Sequence, residues 1–174
     1  MKEIEVKILE IDQEALKNRL SELGARQSFH GELHAVFLDD PQKSLTQQGQ
    51  LLRVRKEGDS TKLTFKKPIS KSGAKIMEEL EVGISDIDLA VEIFERLGFQ
   101  SFKSTRKFRT QFDYLNSHIV IDDYQDDLGP IPPFIEVESP NMEELQQVVS
   151  DLGYQQEQCK SWNTYDLVQY YGIQ

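Results

Sequence analysis

The chain has 174 residues, 38% of them hydrophobic, with nine Phe, six Tyr and one Trp. That composition suits a folded domain with a real core and excludes a disordered chain. Its 20 basic and 30 acidic residues give a formal net charge of −10, which argues against a surface that coats nucleic acid but does not exclude a local basic cavity. The single cysteine, Cys159, excludes an intrachain disulfide and a cysteine-based zinc cluster and fits a reducing cytoplasm. No apolar stretch is long enough to span a bilayer, and "MKEIEVK" lacks the apolar core of a signal peptide. The expectation is a cytoplasmic single domain over residues 1–174, with no membrane and no nucleic-acid partner.

The first run, "MKEIEVKILEID", reads as a strand with Glu3, Glu5 and Lys7 on one face and Ile4, Val6 and Ile8 on the other. A helix follows in "DQEALKNRLSELG", with Asp12 as N-cap, Leu16, Leu20 and Leu23 on one face, and Gly24 as the stop. Strand-like runs then recur with one peculiarity: the apolar and charged sets separate by parity. Leu52 and Val54 oppose Arg53 and Arg55; Leu63 and Phe65 oppose Lys62, Thr64 and Lys66; Leu80 and Val82 oppose Glu79 and Glu81. "SDIDLAVEIFERLGF" reads as a second helix with Ala90, Phe94 and Leu97 on its packed face.

Beyond it the parity resumes. Phe108 and Phe112 oppose Lys107, Arg109 and Gln111; Ile119 and Ile121 oppose His118 and Asp122; Ile135 and Val137 oppose Glu136 and Glu138. "NMEELQQVVSDLGY" is a third helix, in which Asn141 and Glu144 have capping-box spacing. "SWNTYDLVQYYG" reads as a fourth, short one. No linker divides the series, and "GPIPP" reads as a turn before a strand.

An antiparallel sheet with one wet face accounts for any single run. Here, however, the polar face carries formal charges in blocks of one sign, and Arg-x-Arg, Lys-x-Arg and Glu-x-Glu repel along a strand. A polyvalent anion would relieve the basic blocks and divalent cations the acidic ones. A barrel with these faces inward brings both demands into one tunnel. Glu-x-Glu on a strand presents two carboxylates about 7 Å apart, a wall suited to Mg²⁺, which keeps waters and takes one or two carboxylates plus phosphate oxygens. Arg forks and Lys point charges match phosphate.

With "EIEVK", "LRVR", "KLTFK", "EELEV", "KFR", "IVIDDY", "FIEVE" and "KSWNTY" in that order, the chain resembles the CYTH superfamily, or triphosphate tunnel metalloenzymes, which includes class IV adenylate cyclases, thiamine triphosphatases and inorganic triphosphatases. The resemblance implies an α+β fold: a closed, antiparallel eight-stranded β-barrel with helices packed outside. It implies that Lys7, Arg53, Arg55, Lys62, Lys66, Lys107, Arg109 and Lys160 contact the triphosphate. Glu3, Glu5, Asp122, Glu136 and Glu138 would face Mg²⁺ or Mn²⁺, and Glu3, Glu5, Lys7, Glu136 and Glu138 would carry catalysis. Glu79 and Glu81 match a family acidic strand and either serve the site or pair with the basic set. "ELHAVFLDDP" departs from a family pattern resembling Gln-x-Asp-x-Tyr-Phe-Asp, with His34 and Leu38 replacing residues of it.

His30, His34 and His118 lack metal-ligand spacing and read as structural or solvated. The expected function is metal-dependent chemistry on a small-molecule organic or inorganic triphosphate, as a monomer or homodimer. The reaction is either hydrolysis or conversion of ATP to cyclic AMP and pyrophosphate. A non-enzymatic nucleotide- or polyphosphate-binding module is the alternative, against which the acidic set speaks, because an anion binder gains nothing from carboxylates without metal.

Overall fold

Alternation with period two leaves each strand one apolar and one charged face, and the chain satisfies both by curling the charged face inward. The computed structural model describes residues 2–70, 74–125 and 128–173. Its eight strands are β1 (Lys2–Ile8), β2 (Arg26–Asp39), β3 (Leu51–Glu57), β4 (Ser60–Ser70), β5 (Lys75–Ile84), β6 (Gln100–Tyr114), β7 (Ser117–Tyr124) and β8 (Phe134–Ser139). They form a closed antiparallel barrel in the order β1-β5-β4-β3-β2-β6-β7-β8, which leaves no sheet edge to cover.

The helices α1 (Gln13–Glu22), α2 (Ser44–Gln47), α3 (Ile87–Arg96), α4 (Met142–Asp151) and α5 (Thr164–Tyr171) lie outside. Ile4, Val6 and Ile8 pack outward with Ile119, Ile121, Ile135 and Val137 against Leu16 and Leu20 of α1 and Leu145, Val148 and Val149 of α4. A second cluster sets Leu38, Leu52 and Val54 against Ala90, Val91 and Phe94 of α3. A third joins Leu167 of α5 to Leu128, Ile131, Tyr124 and Phe134. Tyr124 and Phe134 share the inward parity of their strands, so this cluster caps one end of the barrel beside β7 and β8. Among the described residues no helix is long and apolar enough to cross a membrane.

The capping signals resolve unevenly. Asp12 accepts from the amides of Glu14 and Ala15, as its N-cap position requires. Gly24, Gly98 and Gly153 follow their helices in left-handed backbone, with φ of +71°, +96° and +87°. Asn141 caps α4 through the Glu144 amide, but the Glu144 carboxylate is drawn away to the Asn116 amide and the Ser117 hydroxyl, at 2.7 Å each, so the capping box is half made. A complete box is found at α5, between Asn163 and Asp166. Leu97 is not on the packed face of α3: it follows the last helical turn and is 69% exposed.

Candidate active site: two halves of one charged interior

The end of the barrel nearest α5 is filled by ion pairs. Arg109 holds Asp122 bidentately, Nε to Oδ1 at 2.8 Å and Nη2 to Oδ2 at 2.7 Å, and Lys107 donates to the same carboxylate. Lys7 meets Glu136 at 2.6 Å, while Glu5 accepts from Lys75 at 2.6 Å and from Lys7 at 3.4 Å. The ammonium groups of Lys107 and Lys7 also lie 5.4 Å and 5.9 Å from the ring centres of Tyr124 and Phe134. Asp122 has no exposed surface, and Glu5, Lys7, Lys107 and Arg109 are buried.

Charge follows from this packing. Burial alone would raise the Glu136 and Glu5 carboxyls, but the neighbouring lysines outweigh it, so Glu136 lies well below the usual carboxylate range and Glu5 below it. Burial likewise opposes the Asp122 anion, and Arg109 and Lys107 overcome it. Lys107 goes the other way: burial and then repulsion by Arg109 push it down to about 8, against the opposing pull of Asp122 and Glu136.

The opposite end opens into a cavity of about 950 Å³. Arg53, Arg55, Lys62, Lys66 and Arg109 line it, with Glu57, Glu79, Glu81 and Glu138. Here the pairs are looser. Lys62 meets Glu81 at 2.8 Å and Lys66 meets Glu79 at 3.2 Å, but Arg55 stands 3.4 Å from Glu57 and 3.6 Å from Glu81. The buried Nε of Arg55 has no hydrogen-bond partner. Burial would raise Glu81, and Lys62 and Arg55 instead hold it low. A network of Ser28, Asp113, His118 and Gln111, on the adjacent strands β2, β6 and β7, lies at one side of the mouth.

The structure brings the sequence-predicted residues into one lumen but splits them. Lys7, Lys107, Asp122, Glu136 and Glu5 belong to the packed end; Arg53, Arg55, Lys62, Lys66, Glu79, Glu81 and Glu138 belong to the open one, with Arg109 between them. Lys160 joins by backbone: its N–H and C=O pair with those of Lys7 at 2.8 Å each, placing it beside Lys7. Glu3 lies on β1 opposite Met77, and its side chain falls outside the described residues. Glu79 and Glu81 pair with the basic set. Among the described residues no three His, Cys, Asp or Glu converge into a ready cation cage. Glu5 and Glu138 are direct cross-strand partners, which offers two adjacent carboxylates.

Sequence reasoning missed Lys75 and Glu57. Both were within reach of the parity argument, because Lys75 continues the inward face of Glu79 and Glu81, and Glu57 that of Arg53 and Arg55. His34 points outward, bonded to Ser104 at 2.9 Å, and Leu38 packs in the α3 cluster, so neither faces the lumen. His30 likewise bonds Thr110 at 3.0 Å and stacks edge-on against Phe108.

A closed barrel with a charged lumen and a cavity rich in Arg and Lys defines the class, and the chain belongs to the CYTH domain family, whose model matches residues 1–160. It is 27% identical over 128 residues to a Methanocaldococcus jannaschii protein named "Putative adenylate cyclase", covering 72% of this chain and 71% of that one. The structure of a Vibrio parahaemolyticus protein described in the same words superposes with a TM-score of 0.81 at 19% identity, covering 96% of this chain and 97% of that one. The Hippeastrum protein HpAC1, described as revealing a dominant triphosphatase activity, gives 0.64 at 16% identity over 99% of this chain and 88% of that one.

Proposed function

We propose that the cavity binds a triphosphate, entering phosphate-first from the mouth, and that the chain is a divalent-metal-dependent triphosphatase. The observation that carries the triphosphate site is Arg55: a buried guanidinium nitrogen without an acceptor, in a basic wall inside a chain of net charge −10. A buried donor left unpaired costs on the order of 1–3 kcal/mol, a cost that a bound phosphate oxygen would remove.

The chemistry needs placement and charge neutralisation more than a protein nucleophile. Arg53, Arg55, Lys62, Lys66 and Arg109 would grip phosphate oxygens and stabilise charge on the leaving phosphate. Glu138 at the cavity wall would hold Mg²⁺ or Mn²⁺, joined by Glu5 across from it once that carboxylate exchanges its Lys75 contact for the ion, since ionised carboxylates, water and phosphate oxygens are the ligands such ions prefer. Once bound, the ion supplies neutralisation of the triphosphate and a more acidic water. Asp122 and Glu136 support the site from behind by fixing Arg109, Lys107 and Lys7.

A second reading, adenylate cyclase chemistry, is favoured by the name of the Methanocaldococcus relative and uses the same cradle, with a ribose hydroxyl in place of water. The protein should be incubated with ATP, thiamine triphosphate and inorganic triphosphate, with Mg²⁺ or Mn²⁺. Orthophosphate release supports the triphosphatase; cyclic AMP with pyrophosphate supports the cyclase. Failure to turn over any of the three would remove both readings.

A further inference from the structure

At the mouth the cavity wall changes character. Phe29 of β2 is cross-strand partner to Gln111 and so shares its inward parity; it lines the cavity half-buried. Two glycines lie against it, and Gly31 leaves it room. A Cβ at Gly31 would stand 3.3 Å from the ring's Cζ, and one at Gly58 would stand 3.6 Å from its Cε2. The ring therefore lies down over the β2 backbone and the β3–β4 turn. A Cβ at 31 would make the ring give by a few tenths of an ångström, while one at 58 would meet it in ordinary contact.

We infer that Phe29 is a stacking platform for an aromatic ring carried by the triphosphate, so that the preferred substrates are aromatic organic triphosphates and not inorganic triphosphate. The inference rests on the cavity being a triphosphate site. Gly58 lies three residues beyond Arg55, and Arg55 two beyond Arg53, on the same strand and its turn. At about 3.3 Å per residue the platform sits roughly 10 Å outside the first guanidinium. That interval leaves space for a sugar or short linker between a stacked ring and its first phosphate. Gln111 and His118, fixed by their mutual contact at 3.3 Å and by Asp113, flank the platform with directional hydrogen-bonding groups. A charged polyphosphate gains nothing from a benzyl ring, whereas a nucleobase or thiamine ring gains stacking.

Binding of ATP, thiamine triphosphate and inorganic triphosphate should be measured by calorimetry for the wild type and for Phe29→Ala, Phe29→Trp and Gly31→Ala. Phe29→Ala should weaken one or both ringed ligands by roughly five- to a hundredfold, the range of aromatic–base stacking, and leave inorganic triphosphate within twofold. Phe29→Trp should retain ringed binding. Gly31→Ala, whose Cβ makes the ring give by a few tenths of an ångström, should produce a smaller loss confined to the ringed ligands, and serves if the alanine variant at 29 folds poorly. Equal losses for all three ligands, or none, would overturn the platform while leaving the triphosphate site standing. A wild type that binds no triphosphate would overturn the site itself and the platform with it.

Discussion

The two ends of the barrel interior are built from the same alphabet of Lys, Arg, Asp and Glu, yet they have different jobs. At the packed end every charge that is named has a close partner, and Asp122, held by both Arg109 and Lys107, has no exposed surface. At the open end the ions stand farther apart, a cavity lies between them, and Arg55 keeps a buried donor unsatisfied. Formal charge facing inward is therefore not sufficient to mark a ligand site. What separates the two is whether the protein already completes each group's hydrogen bonds, because a completed pair repays its own desolvation and an incomplete one waits for an ion.

The sharpest way to break this contrast is Asp122→Ala. It strips the acceptor from two buried cations at once, and removing one partner of a buried pair costs about 3–5 kcal/mol, roughly a 10 °C fall in Tm at this chain length. Urea or thermal denaturation would measure it. A loss below about 1 kcal/mol would show that the packed end is no structural plug.

Glu138→Ala probes the other end. It removes a half-buried carboxylate from the cavity wall, and should cut metal-dependent turnover roughly a hundredfold or more while costing less stability than Asp122→Ala. Glu5→Ala is the less clean variant, since it also strands Lys75 and part of the partnership of Lys7, and its activity loss should come with a loss of stability. If Glu138→Ala keeps full activity, the carboxylate pair across β1 and β8 is not the metal wall.

Much of this was legible because parity is a one-bit signal repeated in almost every strand. Glu5, Lys7, Arg53, Arg55 and Lys107 all face the lumen that their alternation predicts. What alternation cannot supply is depth along the barrel axis, which depends on strand stagger and on what caps each end. Nothing in "KFR" distinguishes Lys107 in the packed half from Arg109 on its border. The seat of Phe29 was hidden for a related reason: it lies against Gly31, two residues away, and Gly58 in another strand's turn, and only closure of the barrel brings them together. Glu144 shows tertiary contacts overriding a local rule, since its capping-box role yields to Asn116 and Ser117 from the neighbouring hairpin.

The smallest expected effect lies in the packed half just behind the border, at Lys107. Its ammonium is pushed down to about 8 by burial and by Arg109, against about 10.4 for an unfolded lysine. Between those values the unfolded chain binds a proton that the folded one lacks, so this group's penalty on stability is present below about pH 8 and is relieved as pH rises through the window. Triphosphate binding has the opposite sign, because a nearby polyanion favours the charged amine. Metal-free calorimetry at pH 8.5, in two buffers of different ionisation enthalpy, should therefore show proton uptake on binding ATP, whose terminal phosphate titrates well below that pH and has already lost its proton. Affinity should decline above pH 8 by at most about tenfold per pH unit. Lys107→Arg should abolish the uptake, since guanidinium does not titrate there. Wild-type binding without proton uptake would mean that Asp122 keeps Lys107 charged in the free protein, and that the packed half is electrostatically complete up to its border with the cavity.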